Sequence, residues 1–287
     1  MPLTKFTDII RYFTIQIRTS RSLSGALTGS GTGFTFGLQA GDLSYPFLIT
    51  NKHVLDGAAS VELTLHVADP NGDPLPGPGR PVRFALSQVP VLRHPDPGVD
   101  LAAIALAPVM SMAIAAGWQP FAHGLGPNTI PKADVRAGFG AIETVTMVGY
   151  PVGLADFANN APIIRQGITA TPLTSNYRGQ REFLVDMAVF PGSSGSPILV
   201  VNEGAWSQGD GLVVGNRLHL VGILHSGHTR TESGEIRQET VPTRIETTVT
   251  IRQMVHLGIC LHADRIIEMI NSAGLPELAG HPELSGF

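Results

Sequence analysis

An all-β fold of the barrel or sandwich type is predicted by three features of this 287-residue sequence. Short segments rich in β-branched and aromatic residues recur about a dozen times, as in strand-rich folds. Turn-forming residues separate these segments, and the chain contains 33 glycines and 22 prolines. Helical periodicity is confined to a few short stretches, so the sequence does not indicate alternating β and α units.

The predicted strands follow one another along the chain with few interruptions. In order they are FTIQIR, GTGFTF, FLIT, SVELTLHV, VRFALSQV, LAAIAL, TVTMVGY, IIRQGITA, EFLVDMAVF, SPILVV, LHLVGIL and ETTVTI. Helices are predicted at residues 4–11, in APVMSMAIAAGW and in ADRIIEMINSAG, where the isoleucines share one face and Gly274 follows as a stop signal. The connection over residues 107–140 is the predicted boundary between two halves.

Composition and charge exclude several classes of protein. A hydrophobic content of 43% with 15% charged residues predicts a folded core rather than disorder. The formal net charge is -4 and no block of like charge occurs, so we expect no general affinity for nucleic acid or anionic membranes.

The single cysteine and the N-terminal segment bear on the cellular compartment. Cys260 has no partner for an intramolecular disulfide, and its apolar neighbours predict a buried, inert thiol. Lys5, Asp8 and Arg11 interrupt the N-terminal segment, which does not have the pattern of a signal peptide. No run approaches the ~20 apolar residues of a membrane-spanning helix. We therefore expect a cytoplasmic protein.

A nucleophilic serine is suggested by the small residues that interrupt a strand pattern in VDMAVFPGSSGSPILV. Such a serine needs a nearby base and N–H donors aimed at the oxyanion of the intermediate. Gly192 would leave its amide free of side-chain obstruction, so the predicted oxyanion donors are the amides of Gly192 and Ser194. A simple tight turn is the alternative explanation for this stretch.

Candidates for the base and for the group that orients it lie next to predicted strands, where a catalytic side chain would be held rigidly. His53 follows the apolar strand that ends at Thr50. Asp100 begins the apolar run DLAAIAL, where its carboxylate would require a partner. Asp96, between two prolines, and Asp56, close behind His53, are weaker candidates for holding the imidazole tautomer.

The chain order His53, Asp100, Ser194 is that of one of the three convergent serine-protease templates. The motifs GSGTGFTF, TNKHVLDGA, DLAAIAL, GYPVG, FPGSSGSPI and VGILHSG occur in the corresponding order. The sequence thereby resembles the trypsin/chymotrypsin-like serine protease family, most closely its disulfide-free bacterial branch of glutamyl endopeptidases and heat-shock proteases.

The resemblance implies two perpendicular six-stranded antiparallel β-barrels with the active site between them and a C-terminal helix. It places the N-terminal barrel at residues 1–115, a linker at 116–140, the C-terminal barrel at 141–258 and the helix and tail at 259–287. His225, Ser226 and Gly227 match the strand that pairs with extended substrate. Ser193 stands where digestive relatives carry an aspartate that pairs with a cleaved N-terminus, so such activation is not implied.

Two interpretations are possible for the side chain that the primary specificity pocket would bind. His225 and His228 could recognise an acidic side chain, whereas Ala188, Val189 and Phe190 could line an apolar pocket. No carboxylate or cysteine completes a metal site with the two histidines, and no cofactor is expected.

The predicted function is a serine endopeptidase acting on peptide or protein substrates. A non-catalytic protein-binding module on the same fold is the alternative. Because a free cytoplasmic protease would endanger its cell, we expect narrow specificity, a latent oxyanion loop around Gly192, or an activating partner protein. The charged segment 226–242 is interpreted as a loop that shapes the substrate site.

Overall fold

The computed structural model describes residues 6–40, 43–208, 211–239 and 244–274, which form mainly antiparallel sheets. The strands are β1 (Thr14–Ser20), β2 (Gly29–Ala40), β3 (Leu43–Thr50), β4 (Ser60–Val67), β5 (Arg80–Ala85), β6 (Val91–Arg93), β7 (Ala102–Ala105), β8 (Pro120–Phe121), β9 (Thr144–Gly149), β10 (Ile163–Thr169), β11 (Glu182–Asp186), β12 (Pro197–Asn202), β13 (Ala205–Gln208), β14 (Gly211–Val214), β15 (Arg217–Glu239) and β16 (Arg244–His262). The helices are α1 (Lys52–Leu55), α2 (Leu106–Ala115), α3 (Ala133–Ala137) and α4 (Asp264–Ser272). Short 3₁₀ helices lie at Phe6–Arg11, Leu86–Gln88, Pro127–Thr129, Pro151–Gly153 and Tyr177–Gly179.

The N-terminal half is a curled sheet with the strand order β5-β4-β1-β2-β3-β7-β6, and β8 pairs with β4. Its register brings two strand ends together, because Thr50 at the end of β3 pairs with Ala102 at the start of β7. Residues just after β3 and just before β7 therefore lie at one edge of the sheet.

The C-terminal half is a closed six-stranded barrel in the order β10-β11-β16-β15-β12-β9. β12 begins at Pro197, paired with Ile223 of β15, so the segment before Pro197 leaves the barrel at the rim. In β10 the burial alternates along the strand, as expected where one face packs inward and the other meets solvent.

Three apolar clusters form the interior. One fills the N-terminal half around β1, β4 and α2, and another fills the barrel. The third joins the halves: Phe34 and Ile49 pack with Leu199 of β12 and with Ile266 and Ile270 of α4. Burying such a side chain contributes about 1.5–3 kcal/mol, so the shared cluster holds the two halves against each other.

The all-β prediction is confirmed, as are the closed barrel and the C-terminal helix. The N-terminal half differs in detail, since its sheet follows an open path of seven strands instead of closing with six. β6 is three residues long and follows Pro90, which has no N–H, so little backbone is available there for a closing pair.

The end of the second half also departs from the predicted boundaries. β16 continues to His262, beyond residue 258, and α4 begins at Asp264. The predicted tail over residues 275–287 lies outside the described residues.

The segment interpreted as a charged loop at 226–242 is instead part of a long two-stranded ribbon. β15 and β16 stay paired from Thr229↔Met254 to Glu239↔Arg244, and residues 240–243 lie outside the described residues. Among the helices that the structure describes, none is long and apolar enough to cross a bilayer.

Candidate active site

His53 and Asp100 are brought together at the edge where β3 and β7 pair. His53 lies in the single turn of α1 after β3, and Asp100 directly precedes β7. The His53 Nδ1 atom is 2.5 Å from Asp100 Oδ2, and the His53 backbone N–H donates to Asp100 Oδ1 at 3.1 Å. The Asn51 side chain donates to the Asp100 carbonyl oxygen at 2.7 Å and fixes the backbone of that residue. Both carboxylate oxygens are thus directed at one histidine.

The pKa of Asp100 lies below the ordinary value for an aspartate. Its partial burial acts to raise the pKa, but the hydrogen bonds from the His53 ring and backbone and the electrostatic attraction of that residue outweigh the burial. Asp100 is therefore an anion across the neutral range and holds the proton of His53 on Nδ1, which leaves Nε2 free to accept another.

Ser194 lies on a tight turn between Phe190 and β12, and two glycines shape that turn. Gly192 and Gly195 have φ values of +87° and +85°, a region that side chains rarely adopt. A Cβ at Gly192 would be 2.5 Å from the Tyr150 carbonyl oxygen, and one at Gly195 would overlap the Thr32 carbonyl oxygen. Glycine is thus required at both positions by conformation and by close approach of backbone.

The Ser194 turn packs against the strand end that carries His53. The Thr32 N–H in β2 donates to the Ser194 carbonyl oxygen at 2.9 Å. The Thr50 hydroxyl at the end of β3 donates to the Thr32 carbonyl oxygen at 2.8 Å. Ser194 and His53 therefore belong to one corner between the two halves. No hydrogen bond joins these two described side chains, a common situation in structures without substrate.

Two amides beside Ser194 are free to bind an anion. The Val152 N–H donates to the Pro191 carbonyl oxygen at 2.6 Å, and in a planar trans peptide this directs the Gly192 N–H to the opposite side. Among the described residues, neither the Gly192 N–H nor the Ser194 N–H has an acceptor. Val152 has a φ of +47°, which is strained for a β-branched residue.

β15 presents an unpaired backbone edge next to Ser194. Its pairing with β12 ends at Ile223, and the last contact is the Gly195 N–H donating to the Leu224 carbonyl oxygen at 2.8 Å. Over the described residues, Ser226 and Gly227 then pair only with β16, and His225 lies at a register shift in that pairing. The opposite edge can therefore accept an extended peptide as an added strand.

The predicted apolar pocket residues differ in exposure. Ala188 is half-buried, and Phe190 is 39% exposed and packs edge-on against His256. Val189 is 3% exposed and belongs to the core of the barrel, so its side chain has almost no surface to offer a ligand. The alternation along the segment turns Val189 inward and Phe190 outward.

The two histidines of the acidic-pocket interpretation have partners of their own. His225 Nε2 lies 3.2 Å from Glu182 Oε1, and the two side chains are mostly buried. His228 Nε2 lies 3.4 Å from the Tyr177 hydroxyl. An acidic ligand at His225 would be close to the Glu182 carboxylate, so this histidine is poorly placed to bind one. No cluster of metal-ligating side chains was found in the described part of the chain.

The sequence interpretation missed the residue that connects the parts of the site. Thr32 is fully buried; its hydroxyl donates to the Gly192 carbonyl oxygen at 2.9 Å and accepts from the Tyr150 N–H at 3.1 Å. The glycines on either side of Thr32 in GSGTG hinted at close backbone contact, but spacing alone does not say with which segment. Arg165 was missed as well, because it lies in an ordinary strand pattern.

A known protein family matches more than half of this sequence. The sequence profile of the trypsin-like peptidase domain family matches residues 31–207, more than half of the chain. No curated protein matches the chain.

The chain is also similar, at low identity, to solved structures from a bacterium and a virus. Rv3671c from M. tuberculosis, in an inactive form, is 14% identical with a TM-score of 0.44, over 91% of this chain and 86% of that one. A second structure, of the Rv3671c protease in its inactive form, is 15% identical with a TM-score of 0.43, over 91% and 88%. Catalytically inactive tobacco etch virus protease in complex with substrate is 13% identical with a TM-score of 0.45, over 90% and 81%.

Proposed function

Because this chain belongs to the trypsin-like peptidase domain family, we propose that it is a serine endopeptidase that uses Ser194, His53 and Asp100. The Ser194 hydroxyl attacks the scissile carbonyl carbon while His53 Nε2 takes its proton. The tetrahedral oxyanion accepts hydrogen bonds from the Gly192 and Ser194 amides. His53 then gives the proton to the leaving amine, and water hydrolyses the acyl-enzyme by the same steps.

One observation carries this proposal: both carboxylate oxygens of Asp100 accept hydrogen bonds from His53. The pair fixes the ring orientation and the tautomer, which are the two properties that a general base for a serine needs. A histidine with no partner would be free to rotate and to protonate on either nitrogen. The two free amides beside Ser194 support the same reaction, because they are donors without acceptors in the part of the chain that the structure describes.

Extended peptides are the proposed substrates, bound along the free edge of β15 at residues 225–227. We favour an apolar or small side chain at the residue before the cleaved bond, because Phe190 is exposed and His225 is close to Glu182. An activating partner and a cytoplasmic location stay predictions from the sequence; the lone buried thiol of Cys260 suits a reducing compartment.

The proposed function is tested by labelling the purified protein with a fluorophosphonate and reading the intact mass. Such a probe phosphonylates a serine whose base and oxyanion donors are assembled. We expect one adduct on the wild type and none on Ser194→Ala, with Ser196→Ala as a matched control that keeps the adduct, because Ser196 is fully buried. An unlabelled wild type, or an adduct that persists in Ser194→Ala, contradicts the proposal. Unlabelled protein that still binds peptides would favour the binding module.

A further inference from the structure

A cation lies behind the turn that carries Ser194. Arg165 is in β10 and faces inward, whereas its neighbours Ile164 and Gln166 are exposed. One guanidinium nitrogen, Nη1, donates to the Ala188 carbonyl oxygen at 2.6 Å. The other, Nη2, donates to the Ser193 hydroxyl oxygen at 3.0 Å.

No carboxylate balances this charge in the described part of the chain, where none of the ion pairs includes Arg165. Its Nε atom is buried without an acceptor, and burial lowers the pKa of Arg165 to about 10. A desolvated cation without a counter-ion opposes folding, and an apolar side chain of similar length would avoid that cost. The guanidinium must therefore contribute something that an apolar residue does not.

Its two contacts mark the ends of the loop that forms the candidate oxyanion site. Ala188 begins this loop, and Ser193, which is fully buried, immediately precedes the proposed nucleophile. Within the loop, the Ser193 N–H donates to the Phe190 carbonyl oxygen at 3.1 Å. The planar fork of an arginine reaches both ends with two donors of one group. One rigid group thus connects the two ends of the loop.

We propose that Arg165 is a positioning residue that keeps the loop 188–193 in the conformation in which the Gly192 and Ser194 amides are available to the substrate. The inference rests on the proposed function for its catalytic meaning. It ties the conformation of the candidate oxyanion site to a residue of the barrel itself, in β10.

The main test compares Arg165→Met with Gln166→Met, a matched control on the exposed face of the same strand. We expect the rate constant for fluorophosphonate labelling to fall about 10²-fold in Arg165→Met, as when one oxyanion donor is lost. Gln166→Met should stay within about twofold of the wild type, as exposed substitutions usually do. Equal labelling rates in Arg165→Met and the wild type would overturn the proposal.

A charge readout separates positioning from mere packing. Arg165→Lys retains a cation of similar reach, and burial lowers the pKa of a lysine. We expect this variant to label at neutral pH and to lose labelling as the pH rises through the lysine pKa, while the wild type shows no such loss over the same range. An Arg165→Lys profile parallel to that of Arg165→Met at every pH would contradict a role for the charge.

Hydrogen exchange tests the loop without requiring activity. The amides of Ser193 and Gly195 are bonded to Phe190 and Leu224, and we expect both to exchange faster in Arg165→Met while the barrel strands keep their protection. The exchange comparison can also be made in a Ser194→Ala background, where it does not depend on the proposed function. A wild type that is not labelled contradicts the proposed function. Exchange rates that do not change in Arg165→Met contradict the role of Arg165. If Arg165→Met does not fold, Ser193→Ala leaves the cation in place and removes one acceptor, and unchanged labelling and exchange there would equally refute it.

Discussion

Replacing Asp100 by asparagine removes the negative charge of its carboxylate and leaves the side chain almost unchanged in size and shape. In the structure, Oδ1 accepts from the His53 backbone N–H and Oδ2 accepts from the His53 ring. An amide has one acceptor oxygen, so it can serve only one of these donors. If the oxygen stays on the backbone N–H, the amide NH₂ faces Nδ1, and the ring proton must move to Nε2. Nε2 of His53 then has no lone pair with which to take the Ser194 proton.

The expected cost is about 10⁴ in the labelling rate constant, equivalent to about 5 kcal/mol of transition-state stabilisation. Asp96→Asn is the matched control, because Asp96 lies in the same loop and, among the described residues, its carboxylate accepts from the Gly98 backbone N–H and not from His53. The assay is the second-order rate constant for fluorophosphonate labelling at pH 7.5, with thermal melting to verify folding. A folded Asp100→Asn that labels within tenfold of wild type, or an Asp96→Asn with an equal defect, would refute the assignment of Asp100.

Three further predictions follow from the same geometry. Because the pKa of Asp100 is depressed in the folded state, its contribution to stability is complete above the ordinary aspartate pKa of about 4 and is lost as the pH falls through the folded value. In urea unfolding, the difference in the free energy of unfolding between wild type and Asp100→Asn should therefore narrow from pH 7 toward pH 2. A difference that stays constant over this range would argue against the linkage. Gly192→Ala should fold but be labelled about 10²- to 10³-fold more slowly. The added Cβ would be 2.5 Å from the Tyr150 carbonyl oxygen, so the backbone amide at this position must shift. If the folded variant is labelled at the wild-type rate, this amide is not an oxyanion donor. Cys260 is buried, and burial raises the pKa of its thiol well above the ordinary value. Iodoacetamide should therefore leave this thiol unmodified in the native protein and alkylate it in urea, as read by intact mass. Rapid alkylation of the native protein would be inconsistent with the barrel core described.

The elements with a local signature were predictable from the sequence. Strand alternation and turn residues are short-range properties, and the twin glycines around Ser194 follow from backbone demands that a motif displays. The pairing of His53 with Asp100 was predictable because both stand at strand ends in a chain order associated with one template. The structure brings these two residues within hydrogen-bond distance.

The parts that escaped prediction depend on register and on side-chain direction. Thr32 acquires its role because β2 passes beside the Ser194 turn, and nothing in GSGTG states which segment will approach it. Val189 was assigned to a pocket, yet it faces the barrel core. The ribbon of β15 and β16 was read as a loop because the sequence of residues 226–242 is polar and charged and lacks apolar alternation. Arg165 looks like any polar residue in a strand until its contacts are known.

The apolar cluster that joins the two halves limits how the cleft between them can change. Leu199 and Ile266 belong to the same buried apolar cluster as Phe34 and Ile49, so a hinge opening of the halves would expose this surface to water. Domain closure around a substrate is therefore costly here, unlike in enzymes whose lobes meet across a polar interface. Control over which peptides enter falls to the short segments at the rim, and a regulator of this protein would have to act by reshaping a loop rather than by moving a domain.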